Sequence, residues 1–323
     1  MENSPRLVTT LPLPELSSLP AGSIASVPLL HSTISILFAQ HALDPTIAPF
    51  PPGDRVIPKS LAYHARLIET TLILLGLCEV SDEGDGTDVE AVLIAAAGQH
   101  VRRWEVKRES FPEGLSGYKA WRTHLGRVHA THVESAMREA GYGLPVAPRT
   151  GETLDQDRGE RTVARCKELL VKKGLPALAG WREAQAAQSG TGSLPERLTD
   201  YPAVQLLEDA VCIVFLEHEM EDFAGKMVER ITEGTVGPPA HPSSNSGDPG
   251  PAPADVTASA SSAAARTKLI SIVRKTWAKM GPLGRRIAVE EVVQNMPDGR
   301  KEVVEEAVRG YSAKSAEGGG GVK

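Results

Sequence analysis

Imidazole, indole and guanidinium side chains crowd one stretch of this chain. Between Ala95 and Glu134 stand His100, His124, His129 and His132, together with Trp104, Trp121, Arg102, Arg103, Arg108, Arg122 and Arg127. Imidazoles joined by a carboxylate suit a divalent metal such as Mn, Zn, Fe or Ni. Guanidinium forks suit the oxygens of a phosphate, and flat rings beside them offer a stacking or cation–π surface. On a helix, residues three or four apart share a face. That spacing groups His100 with Arg103 and Trp104. It also lines up Tyr118, Trp121, Arg122, Leu125 and His129, with His132 below. A second signal is "LLEDAVCIVFLE", in which Glu208 and Asp209 enter an otherwise apolar helix. Buried carboxylates need a partner, either an arginine or a metal.

Two functional readings follow, beside one purely structural. In the first, His100, His129 and Asp209 hold one divalent metal, with Glu208 or Asp209 as catalytic carboxylate. In the second, Arg103, Arg108 and Arg122 bind a small anion, flanked by Trp104, Tyr118 and Trp121. In the structural one, Arg103 and Arg122 pair with Glu208 and Asp209, and the tryptophans are core.

The elements that must position these residues read as helices throughout. Apolar residues recur at helical spacing in "PLLHSTISILFAQHALDP" and "SLAYHARLIETTLILLGL". A third helix is expected from about Asp88 to Arg108 and a fourth from Leu115 to Ala140, closed by Gly141. "ERTVARCKELLVKKGL" forms a fifth, stopped at Gly174, and residues 176–200 read as an irregular insertion. A long buried helix begins at Tyr201. No strand pattern or repeat stands out, so the fold is expected to be all-α, a single multi-helix domain, possible as an HD-like bundle. The organisation is a disordered tail over 1–27, a helical domain carrying the site over 28–232 and a low-complexity Pro/Ala/Ser linker over 233–264. C-terminal helices over 265–312 are expected to pack back on the same domain, followed by a disordered tail over 313–323.

The 323 residues carry a net charge of −6, which argues against general nucleic-acid binding through a basic surface but leaves room for a local basic pocket. The three cysteines are scattered, without a CxxC pair, and read as buried thiols. No secretion signal stands at the start, and "EAVLIAAAG" is too short an apolar run to span a bilayer. The expectation is a cytoplasmic protein without membrane contact. Phosphate-loop, dinucleotide-fold, nucleophile-elbow and HExxH zinc motifs are all absent from the sequence.

At "QHVRRWEVKRESFP", "GYKAWRTHLGRVHA", "LLEDAVCIVFLE", "DFAGK" and "RKTWAKM" the sequence resembles the microbial family called domain of unknown function 4202, over roughly 28–232 and 265–290. The family's histidine with an Arg-Trp pair matches His100, Arg103 and Trp104. Its Gly-Tyr and Trp-Arg segment ending in His-Ala matches Gly117, Tyr118, Trp121, Arg122, His129 and Ala130. Its Leu-Glu-Asp entry matches Glu208 and Asp209. Lys107 departs from the pattern, where the family tends to carry proline before the arginine matched by Arg108. A weaker similarity is to HD-type metal-dependent phosphohydrolases, since His100, His129 and Asp209 occur in a comparable order. Their adjacent His-Asp dyad is missing, because Gln99 and Val101 flank His100. "RKTWAKMGPLG" faintly resembles an aminoacyl-tRNA synthetase lysine loop, without that enzyme's other signatures. Together these features lead to a metal-dependent hydrolase of a phosphorylated or nucleotide-like small molecule, or to a non-catalytic module whose His/Arg/Trp cluster binds an anion or closes the core.

Overall fold

The computed structural model describes residues 6–17, 19, 23–50, 54–80, 87–147, 149–151, 155–189, 197–232 and 254–318. The fold is all-α, with two short sheets as accessories. It divides into two compact units, Met1–Val211 with Gly281–Gly284, and Cys212–Met280 with Arg285–Lys323.

In the first unit, strand β1 (Arg6–Leu7) precedes helix α1 (Val27–His41), β2 (Ile47–Pro49), β3 (Arg55–Pro58), α2 (Lys59–Gly76) and β4 (Cys78–Val80). Then come α3 (Thr87–Gly98), α4 (Gly114–Ala140), α5 (Gln156–Leu170), α6 (Ala179–Ser189), β5 (Leu198–Tyr201) and α7 (Ala203–Val214). Ser26 caps α1 by accepting from the Leu29 amide, and Asp155 caps α5 by accepting from the Asp157 and Arg158 amides. Helix α3 is the axis of the unit. It packs against α1, α2, α4 and α5, and every side chain from Ala91 to Ala97 is fully buried. Its alanines let four neighbours approach closely. Gly98 takes this to the limit, because a β-carbon there would stand 2.1 Å from Val133 Cγ2 on α4.

The structure departs from the sequence reading in three places. Helix α3 ends at Gly98, not near Arg108, and residues 99–113 form turns with two short 3-10 segments at Arg103–Glu105 and Arg108–Ser110. Arg102 takes a left-handed conformation (φ 54°), which an α-helix cannot continue. Residues 179–189 of the expected irregular insertion form α6, while 190–196 lie outside the described residues. Short strands also occur. Arg6–Leu7, within the expected tail, pairs parallel with β3, and β4 pairs parallel with β5.

In the second unit α9 (Ala254–Lys279) packs against α8 (Met220–Thr232) and α10 (Asp298–Gly318). Val273, Trp277, Val304 and Ala307 form buried apolar positions there. Of the expected linker, residues 233–253 lie outside the described residues and 254–264 form the first turns of α9. Among the described residues, no helix is long and apolar enough to cross a membrane.

Candidate functional site

Where α3 stops, the chain turns back across α2 and α4. This turn sets the geometry of four imidazoles. His100 donates its backbone N–H to Nε2 of His64 (3.1 Å), so His64 carries its proton on Nδ1 and donates it to the Ser60 carbonyl (2.6 Å). His41 stacks on His64 with ring centroids 3.7 Å apart. Its Nε2 donates to the Ala97 carbonyl (2.8 Å), and Nδ1 accepts from the Ser60 hydroxyl (2.8 Å). The rings of His64 and His100 lie 6.0 Å apart, and those of His100 and His129 5.9 Å apart. His129 on α4 donates from Nδ1 to the carbonyl of Val101 (2.9 Å). That bond leaves Nε2 as a lone-pair acceptor.

Burial keeps all four rings neutral. It is the largest cause in each case, pushing His41 and His129 down to about 4 and His64 and His100 well below the ordinary value. The nearby Arg103 pushes His100 and His129 further the same way, against the opposing hydrogen bond from His129 to Val101.

Beyond His100 and His129 a cavity of about 470 Å³ opens, also walled by Gln99, Arg103, Arg122, Arg127 and Lys172. Leu125, Gly126 and Leu170 complete its floor. Arg122, Leu125 and His129 share this wall as their helical spacing predicts. No carboxylate among the described residues lines it. Among the described residues Arg103, Arg122 and Arg127 form no ion pair. The Arg103 guanidinium lies 5.1 Å from the centroid of the Trp121 ring. Burial first, and Arg122 second, push Arg103 below the usual arginine value, as expected of two cations held close. Lys172 on the wall is left-handed (φ 56°), as is Arg102, the chain neighbour of the wall residue Arg103. Such residues cost roughly 1 kcal/mol or more and concentrate at functional sites.

Two buried polar atoms of these lining residues have no hydrogen-bond partner among the described residues: Nε2 of His129 and Oε1 of Gln99. The two residues are 3% and 4% exposed.

The remaining expected residues stand elsewhere. The Arg108 guanidinium donates to the carbonyls of Phe111 (2.9 Å), Pro112 (2.9 Å) and Gly114 (3.3 Å), and so clamps the loop before α4. Trp121 is a buried post whose indole N–H donates to Val106 (3.0 Å), with Tyr118 beside it at 5.9 Å and nearly half exposed. Trp104 is partly buried on the same turn as Arg103. None of these four lines the cavity. Glu208 is buried and pairs with Lys172. Asp209 is fully buried and accepts from the Tyr201 hydroxyl (2.5 Å), the Gln205 amide (2.9 Å) and the Gly281 backbone N–H (2.7 Å). Burial, its largest influence, raises Asp209 to about 6 against those hydrogen bonds. The expected pairing of Arg103 and Arg122 with Glu208 and Asp209 is therefore replaced by these partners. His100 and His129 come together, and Asp209 does not join them. Among the described residues no three His, Cys, Asp or Glu side chains are grouped to hold a metal.

Sequence reasoning missed Gln99, Arg127 and Lys172 as wall residues, and His41 as the base of the histidine stack. Arg127 stood in the same arginine-rich stretch, but its spacing of two from His129 puts it off that residue's helical face, so spacing alone did not select it. Lys172 was not selected either, because its direction depends on the left-handed turn that ends α5.

The family model described as "Domain of unknown function (DUF4202)" matches residues 31–236. That span holds the whole cavity wall and both unpartnered atoms. No curated protein and no solved structure matches the chain.

Proposed function

The chain belongs to the family Domain of unknown function (DUF4202), and from its site we infer that it binds a phosphorylated small molecule in the cavity between α4 and the turn after α3. The observation that carries this is charge without counter-charge. Arg103, Arg122 and Arg127 line one concave space in which, among the described residues, no carboxylate answers them. Like charges held together are unfavourable until an anion arrives, and guanidinium forks fit phosphate oxygens in pairs. The cavity's 470 Å³ suits a small metabolite and is far too small for a macromolecule.

Calorimetric titration with a panel of sugar phosphates and nucleotides, in the presence of chelator, tests this reading. Binding that weakens about tenfold or more in Arg103→Gln and in Arg122→Gln supports it. Equal binding by wild type and both variants, or none by the wild type, refutes it.

A second reading, metal-dependent hydrolysis of the same ligand, draws on one observation. His100 and His129 are neighbouring neutral imidazoles, and neither bare Nε2 of His129 nor the His100 ring has a hydrogen bond among the described residues. Neutral imidazole is the ligand form for Mn, Zn, Fe or Ni. Phosphate oxygens would have to supply the other ligands, since Asp209 is engaged with three donors. The bound anion would also offset Arg103, whose charge opposes a divalent cation. Elemental analysis with melting curves decides it: this reading requires a metal-induced rise in Tm that His100→Ala abolishes.

A further inference from the structure

Of the two histidines that line the cavity, His129 has its Nε2 sealed in, while His100 is partly exposed. The ring nitrogens of His100 make no hydrogen bond among the described residues, yet neither sits among the buried atoms without a partner, so the ring edge reaches open space. The residue is also held in place. Its backbone N–H is fixed by Nε2 of His64 (3.1 Å), and its ring lies against those of Tyr63 (centroids 5.3 Å apart) and His129 (5.9 Å). Burial, and Arg103 after it, keep the ring unprotonated. A neutral imidazole attacks through a nitrogen that bears no proton, so it needs no base. That suits a wall on which, among the described residues, no carboxylate stands to act as one. The same lack selects the leaving group. An alkoxide must be protonated as it departs, but the wall has no carboxylic acid among the described residues, and Lys172 is engaged with buried Glu208. A phosphate departs as an anion, and three guanidinium groups on the wall are suited to receive it.

Resting on the anion-binding reading above, we propose that His100 is a catalytic nucleophile that takes a phosphoryl group from a phosphoanhydride bound in this cavity, such as pyrophosphate or a nucleoside polyphosphate. The unprotonated ring nitrogen attacks phosphorus. A P–N bond forms, and the P–O bond to the second phosphate breaks. That phosphate departs with the electron pair of the broken bond and needs no proton. Water then attacks the phosphorus and gives up a proton to solvent. The P–N bond breaks, its electron pair returns to the ring nitrogen, and inorganic phosphate is released. Arg103, Arg122 and Arg127 hold the oxygens of both phosphates while charge builds on the leaving one. Here the ring attacks phosphorus and is not a metal ligand, which separates this chemistry from metal-dependent hydrolysis.

The test mixes the full chain with radiolabelled pyrophosphate in the presence of chelator, quenches in alkali within the first turnover and maps the label by mass spectrometry. A phosphorylated imidazole withstands alkali and is lost in acid. The expected result is an alkali-stable, acid-labile phosphoryl group on His100, formed about tenfold or more slowly in Arg103→Gln and not formed from glycerol phosphate, an ester. Calorimetry on the same protein reports binding separately. Pyrophosphate bound with no label on His100, whether or not phosphate is released, overturns the nucleophile and leaves the anion site standing. Label on another residue does the same. Equal labelling from the ester overturns the preference for phosphoanhydrides. No binding overturns the anion site and the transfer with it. His100→Asn is expected to bind pyrophosphate and take no label, with a melting curve to check its fold; if it does not fold, the wild-type map decides alone.

Discussion

Two polar clusters are built into the first unit, and they differ in one respect. Around Asp209 both carboxylate oxygens are met: Tyr201 and Gln205 come from its own side of the chain, and Gly281 from seventy-two residues further on. Glycine is required at 281 and 284, because a β-carbon at either would stand 2.2 Å from the Tyr201 hydroxyl oxygen or 2.6 Å from the Asp209 carboxyl carbon. This cluster is closed and has no room for a ligand. Around His129 the ring Nε2 and the Gln99 carbonyl oxygen have no hydrogen-bond partner and three arginines have no ion pair among the described residues, and these residues line a cavity. Buried polar groups are ordinarily satisfied. A satisfied cluster holds a fold together. An unsatisfied one facing a cavity points to a ligand.

Breaking the closed cluster has the largest expected effect. Asp209→Ala leaves three donors unmet in the core and is expected to lower stability by roughly 3–5 kcal/mol, read from chemical denaturation, with no specific effect on the cavity. A loss below about 1 kcal/mol would mean the cluster is not a fastener.

Acid sharpens the contrast next. His41, His64, His100 and His129 are all pushed below their unfolded value, so the unfolded chain binds more protons between about 6.5 and 4. Stability is therefore full above pH 6.5 and falls as pH drops towards 4, by roughly 3 kcal/mol for a group displaced as far as His41. Asp209, raised to about 6, acts in the opposite direction over part of that window. Four imidazoles against one carboxyl make the sign of the sum. A Tm that stays level from pH 7 to 4.5 would contradict it, and His41→Gln should remove part of the slope.

Opening the other cluster should leave the fold alone. Arg103→Gln and Arg122→Gln lose anion affinity about tenfold or more, with stability level or slightly improved as two crowded cations become one. A marked drop in Tm would reassign these arginines to the core. The smallest expected effect is at Gly126 in the middle of α4. A β-carbon there meets its nearest neighbour at 3.7 Å, an ordinary contact, so Gly126→Ala should gain about 0.5–1 kcal/mol from helix propensity. Destabilisation would show that the α4–α5 contact is tighter than that.

The comparison also explains what the sequence made legible. Helices α1, α2, α4 and α5 were readable from periodicity, with Gly141 closing α4, and the wall residues Arg122 and His129 came with α4. His100 and Arg103 were also found, though on an extension of α3 that the structure does not have. Their spacing of three fitted a helix, and the signal against it was Gly98 closing the apolar run. The closed cluster was legible only in part: Asp209 stood out as a carboxylate among apolar residues, but a partner seventy-two residues away leaves no local trace. Arg108 shows the limit from the other side. Its type suggested an anion, and three backbone carbonyls claim it instead.

The central claim is that the open cluster is completed by an anion. A crystal structure of the full chain grown with phosphate and without sulfate tests it most directly. The account predicts one tetrahedral anion in the cavity, within hydrogen-bond distance of Arg103 and Arg122. Phosphate bound elsewhere with the cavity holding only water, or an acidic side chain turned in to meet those arginines, would contradict it.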